Sequence, residues 1–279
     1  MKIGMNLLLW TDVMNDSGLE VCRRLKEIGF DAIELPGYDH DYANYERWGR
    51  ELDKLDVIRT AAVVRGGEDN PASADSAIRR RGLENNKRSV ECLAAAGCQA
   101  MVGPFHSALG WFSGKPGTTD EWKAGVDSMR ELAEHADKYK LDLCLEPLNR
   151  FECYLLNSAE QMARFVDDVN HPRCKVLYDT FHAHIEEKNV AAAIETLGSR
   201  IGQVHISEND RSTPGAGAVR WEETFQALRK IKYDGLYVIE AFGSALPNVA
   251  AATKIWRRMF DEEYQLATDG LNFIRKMAN

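Results

Sequence analysis

Four residues able to bind a metal ion or move a proton recur through the second half of the chain. They are Glu146, Asp179, His205 and Glu240, separated by 33, 26 and 35 residues, and each stands at the end of a short β-like run. Three carboxylates facing one point would raise each other's pKa, a conflict that a divalent cation resolves. Oxygen-rich ligation with one histidine suits Mn²⁺, Mg²⁺ or Co²⁺ better than a thiolate zinc site.

The elements that must position these residues alternate along the chain. Short β-like runs are each followed by a helical pattern, which favours a parallel sheet, and eight such units favour closure into a barrel. One unit of such a barrel takes about 31 residues, close to the spacing of the four residues. In these barrels chemistry occurs at the C-terminal strand ends, so the four side chains should meet at one rim. The predicted strands are 3–9, 32–35, 57–64, 98–102, 141–145, 175–178, 201–206 and 235–239.

The helical patterns predict an α/β fold, a single (β/α)8 TIM barrel over residues 1–279 with a C-terminal helical extension. An open doubly wound sheet is the main alternative, but no GxGxxG follows the first strand. No linker or low-complexity stretch divides the chain, whereas the glycine-rich stretch 103–118 indicates a loop. The predicted helices are 17–28, 42–55, 74–96, 118–139, 158–169, 190–197, 221–231 and a tail from residue 248.

Composition narrows the function classes. The 279 residues carry a net charge of −8, which argues against nucleic acid as a partner because binding it needs a basic field. No apolar run reaches the roughly 20 residues that cross a bilayer, and the N-terminus reads as a first strand rather than a signal peptide. The six cysteines are scattered without a CxxC pair, as expected of reduced thiols in a cytoplasmic protein.

Further polar residues follow three of the four strand ends. Residues 149–152 follow the fifth strand, residues 180–184 the sixth and residues 207–211 the seventh, and each segment reads as a strand–helix loop on the same rim. Early rim segments carry aromatic residues whose faces could pack on sugar C–H groups, and Arg65 could meet an anionic group of a substrate. These residues are Trp10, Trp111 and Phe112, with His106 in the same part of the rim.

At this point the sequence resembles the ketose 3-epimerases, which comprise D-tagatose 3-epimerase and D-allulose (psicose) 3-epimerase within the xylose isomerase-like barrel superfamily. The similarity spans nearly the whole chain and is strongest from Glu146 to Glu240. It is weaker in the loops 63–71 and 104–117, which in that family help to hold C4 to C6 of the sugar. The matching strings are Leu145–Glu152 (LEPLNRFE), Asp179–His182 (DTFH), Val204–Arg211 (VHISENDR) and Tyr237–Glu240 (YVIE).

The resemblance implies a role for each matching residue. It makes Glu146 and Glu240 the two acid–base carboxylates that remove and return the C3 proton of a ketose. It implies one divalent ion, with Mn²⁺ expected and Co²⁺ or Mg²⁺ as alternatives, and a homodimer or homotetramer. The implied metal ligands are Glu146, Asp179, His205 and Glu240, and the implied substrate-binding residues are Glu152, His182 and Arg211.

Other functions remain open at this stage. The nearest is an aldose–ketose or hydroxypyruvate-type isomerase, which would use the same metal to move a proton between C1 and C2. An inositol-pathway dehydratase is more distant. An abasic-site endonuclease would need a basic face and more histidine ligands, and a sugar-binding protein would need no acid–base pair. The sequence does not choose the ketose, or whether it is phosphorylated.

Overall fold

Eight parallel strands close into a barrel in the computed structural model, which describes residues 1–278. Each strand pairs with its neighbour in the sequence, and β8 closes the ring on β1. The predicted barrel is therefore confirmed, and the open doubly wound sheet is excluded. The strands are β1 (Lys2–Asn6), β2 (Ala32–Pro36), β3 (Ile58–Ala62), β4 (Ala100–Gly103), β5 (Asp142–Leu145), β6 (Cys174–Asp179), β7 (Ile201–Ile206) and β8 (Leu236–Ile239).

Helices follow the strands and surround the barrel. Their ends carry the expected caps: the side chain of Asn15 accepts from the backbone N–H of Gly18 at the start of α1, and Gly29 ends that helix at φ 110°. The helices are α1 (Asp16–Ile28), α2 (Tyr42–Asp53), α3 (Ser76–Ala95), α4 (Thr119–Asp137), α5 (Ala159–Val169), α6 (Thr180–Glu186), α7 (Val190–Leu197), α8 (Trp221–Lys230), α9 (Pro247–Thr253) and α10 (Glu263–Ala278).

Three segments differ from the sequence prediction. Strand β1 ends at Asn6, because its side chain accepts from the Leu8 N–H and starts a short 3-10 turn. Residues 180–184 form most of helix α6 rather than a loop, because the Asp179 carboxylate caps that helix by accepting from Phe181 N at 2.6 Å. The C-terminal tail is two helices, since α9 ends at Thr253, where Lys254 caps it with φ 63°, and α10 begins only at Glu263.

Apolar side chains fill the barrel wall and the layer between strands and helices. Met5, Ile33 and Leu143 of the strands face the helices and are fully buried, and so is Trp48 of α2. All six cysteines are buried free thiols. Among residues 1–278, no helix is both long and apolar enough to cross a membrane. Division into one domain over 1–279 stays a prediction, and its last residue, Asn279, lies outside the described part.

Candidate metal centre and active site

The ends of four adjacent strands bring the four predicted metal ligands to one rim. Glu146 follows β5, Asp179 ends β6, His205 lies in β7 and Glu240 follows β8, while Asp179 and His205 are direct partners in the ladder. Their exposed fractions are 5%, 2%, 1% and 7%. The ladder continues beyond the strands, since Glu240 N donates to the Ile206 carbonyl at 3.1 Å. The two glutamates therefore flank the Asp179–His205 pair from either side.

His205 lies at the centre of this group. Its Nδ1 is 3.5 Å from Glu240 Oε1 and 3.7 Å from Asp179 Oδ2. Within residues 1–278, neither His205 Nδ1 nor Glu146 Oε1 has a hydrogen-bond partner. Buried polar atoms without partners are costly unless something else binds them. Three carboxylates and one imidazole with such free atoms fit a divalent cation that prefers oxygen ligands.

The electrostatics of the group also favour added positive charge. Burial raises the pKa of Glu146 well above its usual value, and the charges of Asp179 and Glu240 raise it further. Burial alone would do the same to Asp179, but the charges of Arg211 and His182 hold its pKa below the ordinary range. The site is thus a concentration of negative charge that one arginine compensates only in part.

Glu34 is a buried carboxylate beside the candidate centre that the sequence analysis missed. It ends no strand but lies inside β2, fully buried, with its Oε1 at 2.9 Å from His205 Nε2. It accepts hydrogen bonds from Asn6 at 2.8 Å, Thr60 at 2.9 Å and Gln203 at 2.5 Å. Glu34 therefore approaches the nitrogen opposite to the one that faces Asp179 and Glu240. A carboxylate behind a ligating histidine orients the ring and increases its basicity.

Glu34, His205 and Glu240 also offer three ligand atoms within 4.8 Å of one another. The 2.9 Å approach of Glu34 to the ring's rear nitrogen makes it a partner of the histidine rather than a fifth ligand at the front. The signal in the sequence is a single acidic residue within the apolar run Ala32–Pro36. A glutamate inside a buried strand is almost never fully buried unless it is paired with another polar group.

Arg211 lies against the ligand group, as predicted. Its Nη1 is 2.6 Å from Glu240 Oε2 and 3.1 Å from Asp179 Oδ2. The guanidinium stacks 3.8 Å from the ring centre of Phe181 and 5.0 Å from that of Phe242. These contacts clamp the plane of the guanidinium beside the carboxylates, where it can bind an oxygen that carries negative charge.

The β7–α8 segment that carries Arg211 is held by Glu208, a buried carboxylate. Glu208 accepts from the backbone N–H groups of Gly215 at 2.8 Å and Val219 at 3.0 Å, and from Trp221 Nε1 at 3.0 Å. Arg211 itself has φ 63°, a left-handed conformation fixed by its N–H donating to the Glu208 carbonyl at 2.9 Å. Glu208, three residues after His205, thus shapes the loop and is not among the residues that line the cleft.

The other two predicted substrate residues also face the ligand group. His182 Nε2 is 3.5 Å from Glu146 Oε1 and 3.2 Å from Arg211 Nη2. Burial lowers the pKa of His182 to about 3 and raises the pKa of Glu152. All seven residues predicted for the site are therefore gathered in one place, although the helix α6 that presents His182 was not predicted.

These residues open into a cavity of about 290 Å³ at the C-terminal face of the barrel. Its metal side is formed by the residues already described. Its other side is largely apolar, from the loops after β1, β3 and β4, from Phe242 after β8, and from α9. The apolar lining residues are Leu8, Ala62, Val63, Val64, Leu109, Phe242, Val249 and Ala252.

The early-rim aromatic residues lie elsewhere. Trp10 packs against Tyr264 at 5.3 Å between ring centres, and Trp111 packs against Tyr154 at 5.8 Å. Arg65 also turns away, since its guanidinium donates to Ser89 Oγ at 2.7 Å and to the Val64 carbonyl at 2.8 Å. Its side chain is part of the scaffold under the β3–α3 loop and does not offer its charge to the cleft.

The fold and site together define a barrel enzyme with a candidate divalent-metal centre at the C-terminal strand ends. A family model described as a xylose isomerase-like TIM barrel matches residues 22–277, and the chain belongs to this family. The chain is 31% identical to D-psicose 3-epimerase of Ruminiclostridium cellulolyticum, with 98% of each protein covered.

Two further relatives are informative. A solved structure of L-ribulose 3-epimerase superposes with a TM-score of 0.94 at 29% identity, covering 100% of this chain and 95% of the other. The 3-dehydro-D-guloside 4-epimerase of Escherichia coli is 31% identical over 80% of this chain and 86% of its own length. These relatives are epimerases, and the chain is an enzyme of the isomerase class.

Proposed function

We propose that this protein is a metal-dependent ketose 3-epimerase that inverts C3 of a free ketose through an enediolate. The observation that carries the proposal is the pair of buried glutamates, Glu146 and Glu240, at the ends of β5 and β8. They flank Asp179 and His205 on adjacent strands, so a sugar held between them meets one carboxylate on each face. Inversion needs two such groups, because a single base would return the proton to the face it came from.

The proton on C3 of a ketose is acidic because C2 is a carbonyl. One of the two glutamates accepts this proton on a carboxylate oxygen, and the other delivers a proton to the opposite face of C3. Glu152 and His182 hold the O1 end, and Arg211 holds O2, where negative charge develops in the enediolate. Burial of these groups keeps water away from the intermediate.

The ion would be held by Glu146, Asp179, His205 and Glu240, with Mn²⁺ expected and Co²⁺ or Mg²⁺ as alternatives. When bound, such an ion polarises the ketose oxygens as a Lewis acid and stabilises the developing charge. Glu34 supports the same centre from behind His205. The unpartnered Glu146 Oε1 and His205 Nδ1 support this assignment.

The cleft favours an unphosphorylated sugar. Among the described residues that line it, Arg211 is the one lysine or arginine, and it already contacts Glu240 and Asp179. Arg65, the other candidate, is bound to Ser89 and the Val64 carbonyl. A phosphate would enter a cavity with acidic and apolar walls and would find no free cation there.

The test is turnover of D-tagatose, D-fructose, D-allulose and L-ribulose with Mn²⁺ in D₂O. We expect the C3 epimer of at least one of these sugars, with deuterium at C3, and no turnover of the corresponding terminal phosphate ester (the 6-phosphate of a hexulose or the 5-phosphate of L-ribulose). An aldose product would instead show a C1–C2 isomerase, and a C4 epimer would show that the enzyme inverts a different carbon. Either product without C3 inversion contradicts the proposal.

Assembly as a homodimer or homotetramer, and a cytoplasmic location, stay predictions. The expectation that neither nucleic acid nor a membrane is a partner rests on charge and sequence alone. Sedimentation of the metal-loaded enzyme would establish the oligomeric state.

A further inference from the structure

Asp12 is a carboxylate on the otherwise largely apolar side of the cleft, and none of the roles described above uses it. It lies beyond the 3-10 turn that follows β1, is partly buried, and lines the cavity together with Leu8 of that turn. Its carboxylate has no hydrogen-bond or ion-pair partner within residues 1–278, whereas the neighbouring Thr11 side chain bonds to Val13. The cleft therefore contains an acceptor group that the protein itself leaves unused.

The backbone around Asp12 is held in place on both sides. The backbone N–H of Thr11 donates to the Leu7 carbonyl at 2.9 Å and closes the turn after β1. The hydroxyl of the buried Thr11 donates to the Val13 carbonyl at 2.7 Å and accepts from the Val13 N–H at 3.2 Å. These bonds span Asp12 without using its side chain, so an ordered backbone presents a free carboxylate to the cleft.

The order of the strands determines which end of a bound sugar meets Asp12. Strand β1 pairs with β8, which Glu240 follows, and it lies four strands away from β5, which Glu146 follows. Asp12 is therefore on the side of the cleft opposite Glu152, the residue that we propose holds the O1 end. A ketose whose C2–C3 segment lies between the two glutamates extends its C4–C6 end toward the loop after β1.

A carboxylate at this position is selective because a bound sugar removes it from water. The wall beside it is apolar at Leu8 and Val64, and Tyr38, which also lines the cleft, makes no hydrogen bond to it within the described residues. A sugar hydroxyl must then replace the lost water, and an analogue that lacks this hydroxyl leaves a buried charge unsatisfied. A site built in this way rejects such an analogue far more strongly than an apolar pocket would.

We propose that Asp12 is a specificity-determining residue that accepts a hydrogen bond from a hydroxyl group on C4, C5 or C6 of the ketose. It favours sugars that place a hydroxyl at this point of the wall, and its charge repels an anionic group at the same end. The inference rests on the proposed function for the class of substrate, and it adds the residue that recognises the end of the sugar far from the metal centre.

The test measures binding of a ketose and of its deoxy analogues to the metal-loaded protein by calorimetry. The parent is whichever of the four test sugars binds most tightly, and each analogue lacks one hydroxyl group, on C1 or on a carbon beyond C3. We expect the wild type to bind at least one distal analogue about 10- to 100-fold more weakly than the parent. In Asp12→Ala the parent should lose most of this advantage, whereas the same analogue should bind no more weakly than before.

Two outcomes overturn the proposal. One is a wild type that binds the parent and every distal analogue equally, and the other is an Asp12→Ala variant that binds all of them more weakly by the same factor. The 1-deoxy analogue is the control within the ligand series, because O1 lies at the end assigned to Glu152 and His182. Its affinity relative to the parent should be the same in both proteins, and a change there would show general damage to the cleft and contradict the proposal.

Asp16 provides the matched control in the protein. It is an exposed aspartate at the first position of α1, its carboxylate lies 2.6 Å from Arg47 Nη1, and it is not among the residues that line the cleft. Asp16→Ala should leave every ratio of affinities at the wild-type value. If it shifts them as strongly as Asp12→Ala does, loss of any negative charge near this rim explains the effect and the proposal is wrong.

Failure of the proposed function can be told apart from failure of this inference. A wild-type protein that binds a ketose but epimerises none of the four contradicts the proposed function alone. The ratios of affinities in the wild type and Asp12→Ala still support or overturn the role of Asp12, because they require no turnover. A wild type that binds no ketose contradicts both.

Discussion

The two halves of the barrel rim differ in the side chains that they present to the cleft. On the half built by β5–β8, Glu146, Asp179, Glu240 and Arg211 all face the cleft. On the half built by β1–β4, Arg65 and His106 are buried away from the cleft, and its wall is largely apolar apart from two ionisable residues. The wall includes Leu8, Val64 and Leu109 together with Asp12 and Tyr38. The comparison indicates that one half performs the chemistry while the other shapes the cavity and supports the fold.

The strongest test of this difference is to neutralise one charged residue on the β5–β8 half, called the chemical half below; the β1–β4 half is called the shaping half. We expect Glu240→Gln to lower kcat by about 10²- to 10⁴-fold, the range for loss of a positioned acid–base group, while a ketose still binds. The measurement is single-turnover epimerisation at saturating Mn²⁺, with ketose binding followed by calorimetry.

Glu222→Gln is the matched control, because Glu222 is an exposed glutamate on α8 far along the chain from any strand end. It should retain wild-type turnover. Near-normal epimerisation by Glu240→Gln would contradict the two-carboxylate scheme and remove the distinction between the two halves.

A second test asks whether the β1–β4 half affects metal binding through Glu34. Replacing its carboxylate by Glu34→Gln puts an amide behind His205 Nε2, and we expect Mn²⁺ affinity to fall about 10- to 100-fold. Calorimetric titration of the metal-free protein measures this directly. Thr60→Val removes only one donor to Glu34 and should have a much smaller effect; equal losses would show that packing, not the carboxylate, matters.

The same division explains what the sequence could and could not predict. Glu146, Asp179, His205 and Glu240 were predictable because strand ends recur at the period of the barrel unit and carry unusual residue types. Glu34 was not predictable, because it lies inside β2, which pairs with β1 and β3 and not with β7. Only closure of the barrel brings its side chain to His205. The expectation that Arg65 could meet an anionic group of a substrate is not met for a related reason. Its guanidinium donates to Ser89 Oγ on α3, a contact between distant residues that no local sequence pattern predicts.

Helix α6 shows a further limit. The segment after Asp179 reads as a loop because it is short and rich in polar residues, and it becomes helical because Asp179 caps it. Asp is a preferred N-cap residue, but this carboxylate was interpreted only as a metal ligand, so the helix that it caps was not predicted. The ends of the long helices were easier to predict, since amphipathic spacing and capping residues such as Asn15 and Gly29 indicate the same boundaries.

A third test perturbs the shaping half alone. Val64→Thr keeps the volume but adds a hydroxyl to the apolar wall, across the barrel from β7. We expect a change in KM of about two- to tenfold with kcat nearly unchanged, because contacts that do not change in the transition state affect binding only. Steady-state kinetics with two ketoses that differ at C4 to C6 measure it. A loss of kcat comparable with that of Glu240→Gln would refute the division.

The smallest effect concerns stability and comes from His106 on the shaping half. This residue is fully buried, packs against Phe165 at 5.9 Å between ring centres, and neither ring nitrogen has a partner within residues 1–278. Burial lowers the pKa of His106 to about 3, from an ordinary value of 6.5. The folded protein therefore keeps the ring neutral at a pH where the unfolded chain binds a proton.

The sign of the pH effect follows from that difference. Above pH 6.5 neither state is protonated at His106 and the residue adds no pH dependence. As the pH falls below 6.5, His106 binds a proton in the unfolded state but not in the folded state. The free energy of unfolding therefore decreases progressively toward pH 3. Between pH 7 and pH 5 this loss amounts to about 2 kcal/mol.

His106→Leu removes this contribution, so the free energy of unfolding, measured with urea on metal-free protein, should fall less steeply with acid than in the wild type. Identical pH dependence in the two proteins would mean that His106 is protonated in the folded protein, which contradicts the prediction.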